Sequence, residues 1–162
     1  LVNSVAINYT KNFEDISFEE WELVIKTNLS STFYVCKEAL IRMKKQKRGK
    51  IVNISSIAGR HRSYVSGVHY VSSKAGLIGL TKQMAFEAAK YNININAICP
   101  SQTLTDMLEQ SMTEDQQNEL IANIPLKRLA NIEDQVGVIM FLCSDAASYI
   151  TGSCIDVNGG QI

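Results

Sequence analysis

The sequence predicts an α/β domain in which helices cover a parallel sheet. Short apolar runs alternate with longer helical ones, and no repeat, low-complexity tract or linker interrupts that order. The 162 residues are 46% hydrophobic, which is enough for one core and predicts a single domain over 1–162. Sixteen basic residues balance sixteen acidic ones, so the composition argues against a nucleic-acid partner.

The predicted strands are short runs rich in Ile and Val that end at polar residues, Gly or Pro. They are Leu1–Ile7, Ile51–Ser56, Ile93–Cys99 and Ser153–Val157. The first strand begins at residue 1 without a Met before it. We therefore expect that an N-terminal portion of the domain is missing from this chain.

The first helical segment follows Ser17 and runs to the basic stretch Lys44–Lys50. Ser17 and Glu20 fit a capping box, in which each side chain accepts from a free N–H group at the helix start. Gly49 is the expected helix stop, and the basic stretch is interpreted as a solvated helix end, because no other basic face supports an anion site. The remaining helical segments are Tyr70–Lys90, Thr105–Asn123 and Asn131–Ser144.

Several classes of protein and site are not supported by the sequence. No apolar run approaches the ~18 residues that a membrane span needs, and the four cysteines form no CxxC pair. No metal-ligand cluster, P-loop, G-x-G-x-x-G or G-x-S-x-G motif occurs. His61 and His69 are each interpreted as solvated or as hydrogen-bond partners. We predict a cytoplasmic protein with no membrane segment and no bound metal.

The most informative pattern is Tyr70-Val71-Ser72-Ser73-Lys74. Residues four apart share one face of a helix, so the Lys74 ammonium is expected beside the Tyr70 ring. A free phenol has a pKa of about 10, and a neighbouring positive charge is expected to lower it. The phenol would then exchange a proton near neutral pH. Alone, the spacing is common by chance and fits an ordinary surface pair.

Three other positions strengthen a catalytic interpretation. Ser56 ends a strand at its carboxyl edge, where parallel α/β sheets bind ligands, and its hydroxyl would bind a carbonyl that Tyr70 protonates. Asn28 lies inside a predicted helix, which Asn disfavours. The loop Pro100–Thr105 follows the third strand. Each of these features also has an ordinary structural interpretation: Ser56 as a turn or cap residue, Asn28 as an exposed helix residue, and Pro100–Thr105 as a helix-capping loop.

Together these residues resemble the short-chain dehydrogenase/reductase family, compact type, over nearly the whole chain. The matching motifs are Leu-Val-Asn at 1–3, Trp-x6-Asn-Leu at 21–29, Ile-Val-Asn-Ile-Ser-Ser-Ile-Ala-Gly at 51–59, Tyr70 with Lys74, the loop Pro100–Thr105, Tyr-Ile-Thr-Gly at 149–152 and Val-Asn-Gly-Gly at 157–160. The resemblance implies a Rossmann-like, doubly wound parallel sheet of order 3-2-1-4-5-6-7. This chain would hold strands 4-5-6-7 of it.

The resemblance also implies roles for individual residues. Tyr70 would be the catalytic acid/base, and Ser56 would orient the carbonyl. Lys74 would lower the pKa of Tyr70, bind the nicotinamide ribose and feed a proton relay. Asn28 would hold the relay water.

The implied cofactor is NAD or NADP. Thr103 and Thr105, with the backbone at Pro100 and Ser101, would hold the nicotinamide carboxamide, and Asn3 would lie near the adenosine side. Two departures from the family pattern are expected to alter packing beside the cofactor. Asn-Ser-Val-Ala stands at 3–6 in place of Asn-Asn-Ala-Gly, and Ser101 stands where Gly is usual.

The implied activity is reversible hydride transfer between NAD(P)H and a ketone or secondary alcohol, in a dimer or tetramer of identical chains. The segment Leu104–Asn123, with Met107, Leu108 and Met112, is predicted to form a substrate lid. Two alternatives remain open: a truncated, non-catalytic assembly subunit, and an extended-type sugar epimerase or dehydratase. The absence of further sequence after the Gly-Gly motif favours the compact type over the extended-type epimerase or dehydratase.

Overall fold

The computed structural model describes residues 1–104 and 113–162, and its centre is a parallel sheet. The strands are β1 Val2–Asn3, β2 Gly49–Ile54, β3 Ile93–Pro100 and β4 Cys154–Val157. They are hydrogen-bonded in the order β1-β2-β3-β4, and each neighbouring pair is parallel. The predicted α/β fold and the contiguous strand order are confirmed, although β1 is much shorter than the predicted Leu1–Ile7.

Helices cover both faces of this sheet. The α-helices in the described residues are α1 Phe18–Ile25, α2 Ser31–Gln46, α3 Val68–Ala88, α4 Glu114–Ala122 and α5 Ile132–Cys143. Ile51 and Ile95 pack against α2 and α3 on one face, whereas Val52 and Ile98 pack against α5 on the other. This alternation explains why β2 and β3 are apolar along most of their length, since strands buried on both faces need apolar side chains pointing both ways.

The single helix predicted to follow Ser17 is interrupted by a π-helical segment, Lys26–Ser30. Asn28 lies at its centre and is fully buried. Its side chain accepts from the Ile7 N–H and donates to the Ile7 carbonyl. Single π-helical turns inside α-helices are frequent at functional sites. The alternative of an exposed Asn28 is therefore wrong.

Two predicted helix ends differ in detail from the structure. Ser17 caps α1 by accepting from the Glu20 backbone N–H at 3.2 Å, but the Glu20 carboxylate bonds Lys11 and His69 instead of completing a capping box. Helix α2 ends at Lys47, whose φ of 52° is left-handed. Gly49, the expected stop, belongs to β2, where a Cβ would come within 2.4 Å of the Met43 sulfur.

Of the last two predicted helical segments, Thr105–Asn123 is described only from Thr113 onward, whereas Asn131–Ser144 is described in full. Helix α4 begins after the cap residue Thr113, and α5 begins after Asn131, whose backbone N–H donates to Asp134 Oδ2 at 2.7 Å. The early carboxylates in the sequence indicate this second helix start. The stretch 105–112, which holds Thr105, Met107, Leu108 and Met112, lies outside the described residues. The lid prediction for this stretch therefore stays a prediction.

A buried polar chain joins β1, β2 and α3. The Asn3 amide donates to Asn53 Oδ1 at 2.8 Å and to Cys36 Sγ at 3.2 Å. The Asn53 amide donates to Thr81 Oγ1 at 2.9 Å, and that hydroxyl donates to the Leu77 carbonyl. Because every link is buried or half-buried, the loss of one partner leaves a polar group unsatisfied away from water.

The four cysteines, Cys36, Cys99, Cys143 and Cys154, are free thiols. Among the helices that the structure describes, none combines the length and apolar character that crossing a membrane requires.

We expect Thr81→Val to lower the free energy of unfolding of the full-length protein by about 1–3 kcal/mol, because it removes the acceptor of the buried Asn53 amide. Urea unfolding measures the loss. The matched control is Thr10→Val, whose exposed hydroxyl donates to the Val65 carbonyl, and which we expect to cost about 0.5 kcal/mol or less. Equal losses in the two variants would contradict the role of the buried chain.

Candidate active site

Ser56, Tyr70 and Lys74 meet at the carboxyl end of β2. Ser56 is the N-cap of the short turn Ile57–Gly59, with its Oγ 3.1 Å from the Ala58 N–H that donates to it. The Ser56 side chain is near enough to Tyr70 to lower the pKa of its phenol. The Lys74 Nζ lies 5.6 Å from the centroid of the Tyr70 ring. The structure therefore brings together the three residues that the sequence singled out for carbonyl chemistry.

Close packing of β2 against α3 produces this meeting. The Lys74 ammonium donates to the Ile54 carbonyl at 2.8 Å, and the Ser55 hydroxyl donates to the Lys74 carbonyl at 2.9 Å. Gly59 completes the contact, because a Cβ there would lie 2.6 Å from the Lys74 carbonyl carbon. The turn after β2 can lie directly on α3 only without a side chain at this position.

Burial sets the protonation of both ionisable groups. Burial raises the pKa of Tyr70, and the nearby Ser56 side chain only partly opposes this shift. Burial lowers the pKa of Lys74 to about 8. The prediction of a lowered pKa for Tyr70 is therefore wrong in direction. The Lys74 ammonium lies over the ring and bonds the Ile54 carbonyl, and the cost of burying a phenolate dominates.

Asn28 is connected to this group through Ser73. The Asn28 Oδ1 accepts from the Ile7 N–H at 2.8 Å, and its Nδ2 donates to the Ile7 carbonyl at 2.9 Å and to Ser73 Oγ at 3.1 Å. Ser73 Oγ in turn donates to the Tyr70 carbonyl at 2.7 Å. The Asn28 side chain thus ties the segment after β1 to the first turns of α3.

The loop after β3 is held mainly by backbone bonds. The Ser101 N–H donates to the Val157 carbonyl at 3.3 Å, and Thr103 forms a parallel bridge with Ala130. The Thr103 hydroxyl is 3.4 Å from the Ser101 carbonyl to which it donates. Pro100 is the last residue of β3. Thr105, the remaining predicted contact in this loop, lies outside the described residues.

A cleft of about 150 Å³ opens beside this loop, at the carboxyl ends of β3 and β4. Its rim carries an ion pair in which two Arg128 nitrogens lie 2.6 and 2.9 Å from the Asp134 oxygens, and this pairing lowers the pKa of Asp134 to about 2. The lining residues are Ser101, Ile124, Leu126, Arg128, Ala130, Asp134, Val157, Asn158 and Gly159. Ser56, Tyr70 and Lys74 are not among these residues, so the cleft is separate from the site that they form.

The Asn3 side chain is bonded within the protein, and its place near the adenosine side of the cofactor stays a prediction. Its side-chain amide points at Cys36 and Asn53, into the packing between β2 and α2. A cofactor contact by the Asn3 side chain would break this buried chain, so the structure favours a scaffold role for the side chain.

The sequence did not single out His69 as a functional residue. Its ring is fully buried, and both nitrogens have partners, which excludes the solvated alternative. The partner of Nε2 is Glu20, which is 49 positions away along the chain. No local pattern could indicate such a contact. Within residues 1–104 and 113–162, no three His, Cys, Asp or Glu side chains group as a metal site would need.

The chain matches known proteins over almost its whole length. The family model described as enoyl-(acyl carrier protein) reductase matches residues 1–161. The chain is 44% identical over 161 residues to a 3-oxoacyl-[acyl-carrier-protein] reductase of Aquifex aeolicus. It is 40% identical over 160 residues to an acetoacetyl-CoA reductase of an Acinetobacter species. Each alignment covers 99% of this chain but only 64% of the relative's length.

Solved structures agree with this similarity. A 3-oxoacyl-[acyl-carrier protein] reductase from Brucella melitensis superposes with a TM-score of 0.96 at 30% identity, over 99% of this chain and 62% of that one. A reductase of the same description from that organism, with bound NAD, has a TM-score of 0.90 at 30% identity, over 99% and 61%. The protein ElxO with bound NADP has a TM-score of 0.93 at 31% identity, over 99% and 65%.

We expect Gly59→Ala to destabilise the full-length protein by roughly 1–3 kcal/mol, because the new methyl group meets the α3 backbone at Lys74. The matched control is Gly79→Ala, at an exposed position of α3 where a Cβ meets nothing within 4 Å. There we expect about 0.5–1 kcal/mol of stabilisation. Thermal and urea unfolding compare the two. A neutral Gly59→Ala variant would contradict the close approach.

Lys74 should make stability depend on pH above neutrality. Its pKa of about 8 in the folded state lies below the ordinary value of 10.5, so the unfolded chain binds more protons between these two pH values. The free energy of unfolding therefore rises with pH in this window. We expect the difference in this free energy, wild type minus Lys74→Met, to increase by about 2 kcal/mol from pH 7 to pH 10. Urea unfolding at several pH values measures this difference, and a constant difference would contradict the depressed pKa.

Proposed function

The chain belongs to the short-chain dehydrogenase/reductase family, and on that premise we propose that it catalyses reversible hydride transfer between a nicotinamide cofactor and a ketone or secondary alcohol. The observation that carries the proposal is the half-buried Tyr70 phenol, with the Ser56 side chain near it and the Lys74 ammonium 5.6 Å from its ring centroid. The chain spans 64% of the length of its curated relatives, so the activity is proposed for the full-length protein.

The Lys74 ammonium fits a nicotinamide dinucleotide. It has three N–H donors, and within the described residues one of them bonds the Ile54 carbonyl while the other two have no acceptor. A buried cation with free donors suits the hydroxyl groups of a ribose. The neighbours with bound NAD and NADP support both cofactors as candidates. The bound nicotinamide would supply or accept the hydride.

Tyr70 would provide the proton. Reduction adds a hydride to the carbonyl carbon and a proton to its oxygen, and a phenol with a raised pKa is protonated at neutral pH and ready to donate. Ser56 would bind the same oxygen and orient it toward Tyr70. Lys74 remains cationic at pH 7, and its charge would stabilise the phenolate left after the transfer. Oxidation would reverse each step.

For the substrate we propose 3-oxoacyl thioesters as the first class to test. The names of the two similar relatives, a 3-oxoacyl-[acyl-carrier-protein] reductase and an acetoacetyl-CoA reductase, support this choice. Both substrates present a ketone two carbons from a thioester. Sugar and polyol ketones are the next class, because the same proton and hydride steps apply to them.

We further propose a homo-oligomer, a dimer or tetramer, located in the cytoplasm. Large apolar side chains are exposed along α1, α2 and α3, which supports burial of these helices between copies. They include Phe18, Phe33, Tyr34, Val35, Ile41 and Phe86. The free cysteines fit a reducing compartment. Light scattering of the full-length protein tests the oligomer.

We expect Tyr70→Phe to lower kcat by roughly 10²–10⁴-fold, because it removes the proton donor and leaves the ring packing in place. The measurement is NAD(P)H oxidation with acetoacetyl-CoA, together with cofactor binding followed by NAD(P)H fluorescence, which should persist. The matched control is Tyr149→Phe at a fully exposed ring, with kcat close to wild type. Near-normal turnover in Tyr70→Phe would remove Tyr70 from this role. Absence of any cofactor binding by the wild type would instead favour the non-catalytic assembly subunit.

A further inference from the structure

Helix α3 begins without the side-chain cap that its position requires. Its N-cap residue is Gly67, which has no side chain to accept from the free N–H groups of the first turn. The Tyr70 N–H lies in that turn and donates to the Gly67 carbonyl at 3.1 Å and to the Nδ1 of His69 at 2.8 Å. The imidazole thus supplies the acceptor that a Ser or Asp cap would normally provide.

The His69 ring is held from its other side by Glu20. The distance from His69 Nε2 to Glu20 Oε1 is 3.0 Å, and the second Glu20 oxygen bonds the Lys11 ammonium. Hydrogen bonds from Lys11 and from His69 hold the pKa of Glu20 below its ordinary value. The carboxylate is therefore charged at neutral pH, and its place in the capping box of α1 is given up for this contact.

These partners define the protonation of the ring. The Tyr70 N–H donates to Nδ1, so Nδ1 carries the lone pair and Nε2 carries the proton that bonds Glu20. The opposite tautomer would place a proton against the Tyr70 N–H and a lone pair against the carboxylate. Both contacts would then be lost together.

Gly67 is needed for the same arrangement. Its φ of −71° is ordinary for any residue, so the glycine is not explained by backbone conformation. A Cβ at this position would lie 2.6 Å from the His69 Cε1 and 2.9 Å from the Tyr9 carbonyl oxygen. The space that a side chain would fill is occupied by the imidazole.

We propose that His69 is a positioning residue for Tyr70: Glu20 holds its ring in the Nε2–H tautomer, and Nδ1 fixes the Tyr70 backbone N–H in the first turn of α3. Only the catalytic consequence rests on the proposed function. The catalytic hydroxyl extends from the same residue whose amide is held, so a shift of the first turn moves it relative to Ser56.

The first test needs no catalysis. In the full-length protein with ¹⁵N-labelled histidine, the imidazole ¹⁵N chemical shifts distinguish an unprotonated Nδ1 from a protonated one. We expect His69 to show an unprotonated Nδ1 and a protonated Nε2 at neutral pH. Glu20→Ala should weaken this preference. A wild-type ring with its proton on Nδ1 would overturn the proposal, whatever the activity of the protein.

The second test separates the two ring nitrogens by substitution. In His69→Asn, the side-chain oxygen can take the place of Nδ1, and in His69→Gln the side-chain nitrogen can take the place of Nε2. We expect His69→Gln to lower kcat roughly 10–100-fold with little change in KM, and His69→Asn to restore most of this loss. Both variants should lose similar thermal stability, because each loses one buried hydrogen bond.

The outcomes separate this inference from the proposed function. Equal kcat values in the two variants, or values that follow thermal stability alone, would show that His69 is merely structural and would overturn the proposal. A wild-type protein that oxidises no NAD(P)H with any ketone contradicts the proposed function instead. In that case the tautomer measurement still decides whether His69 holds the Tyr70 backbone.

Discussion

The candidate site depends on one buried contact, between the end of β2 and the second turn of α3. Lys74 belongs to both sides of it: its ammonium donates to the Ile54 carbonyl, and its own carbonyl accepts from Ser55. With strand and helix joined at this point, Tyr70 lies one helical turn earlier and reaches Ser56 at the strand end. The geometry of the proton donor is therefore a property of the packing, not of a flexible loop.

The same burial changes the chemistry of the group. Withdrawal from water favours the neutral form of each ionisable side chain, so the pKa of Tyr70 rises while the pKa of Lys74 falls to about 8. The phenol remains a proton donor at neutral pH, and the ammonium lies close to its own point of deprotonation. Burial of these two ionisable side chains lowers the stability of the fold and shifts their pKa values. Such shifts are common in active sites, where protons are transferred.

The parts of the structure that follow local rules could be predicted from the sequence. Helical spacing places Tyr70 and Lys74 on one face, and the alternation of segments predicts a parallel sheet. The contact between Glu20 and His69 spans 49 positions and involves two ordinary helix starts, so no local pattern reveals it. The direction of the Tyr70 pKa shift was also beyond the sequence, because spacing shows the nearby charge but not the depth of burial.

The π-helical turn Lys26–Ser30 places a constraint on chain length. Such a turn holds one more residue than an α-helical turn, and each residue of an α-helix advances by about 100° around its axis. The wider turn takes up this residue, so Cys36 of α2 still faces the sheet while Asn28 bonds Ile7 from the turn itself. Deleting a single residue here would let α1 and α2 continue as one regular α-helix, and the Asn28 side chain would lose its place against the Ile7 backbone. An insertion or deletion in this turn is therefore a graver change than most substitutions within it.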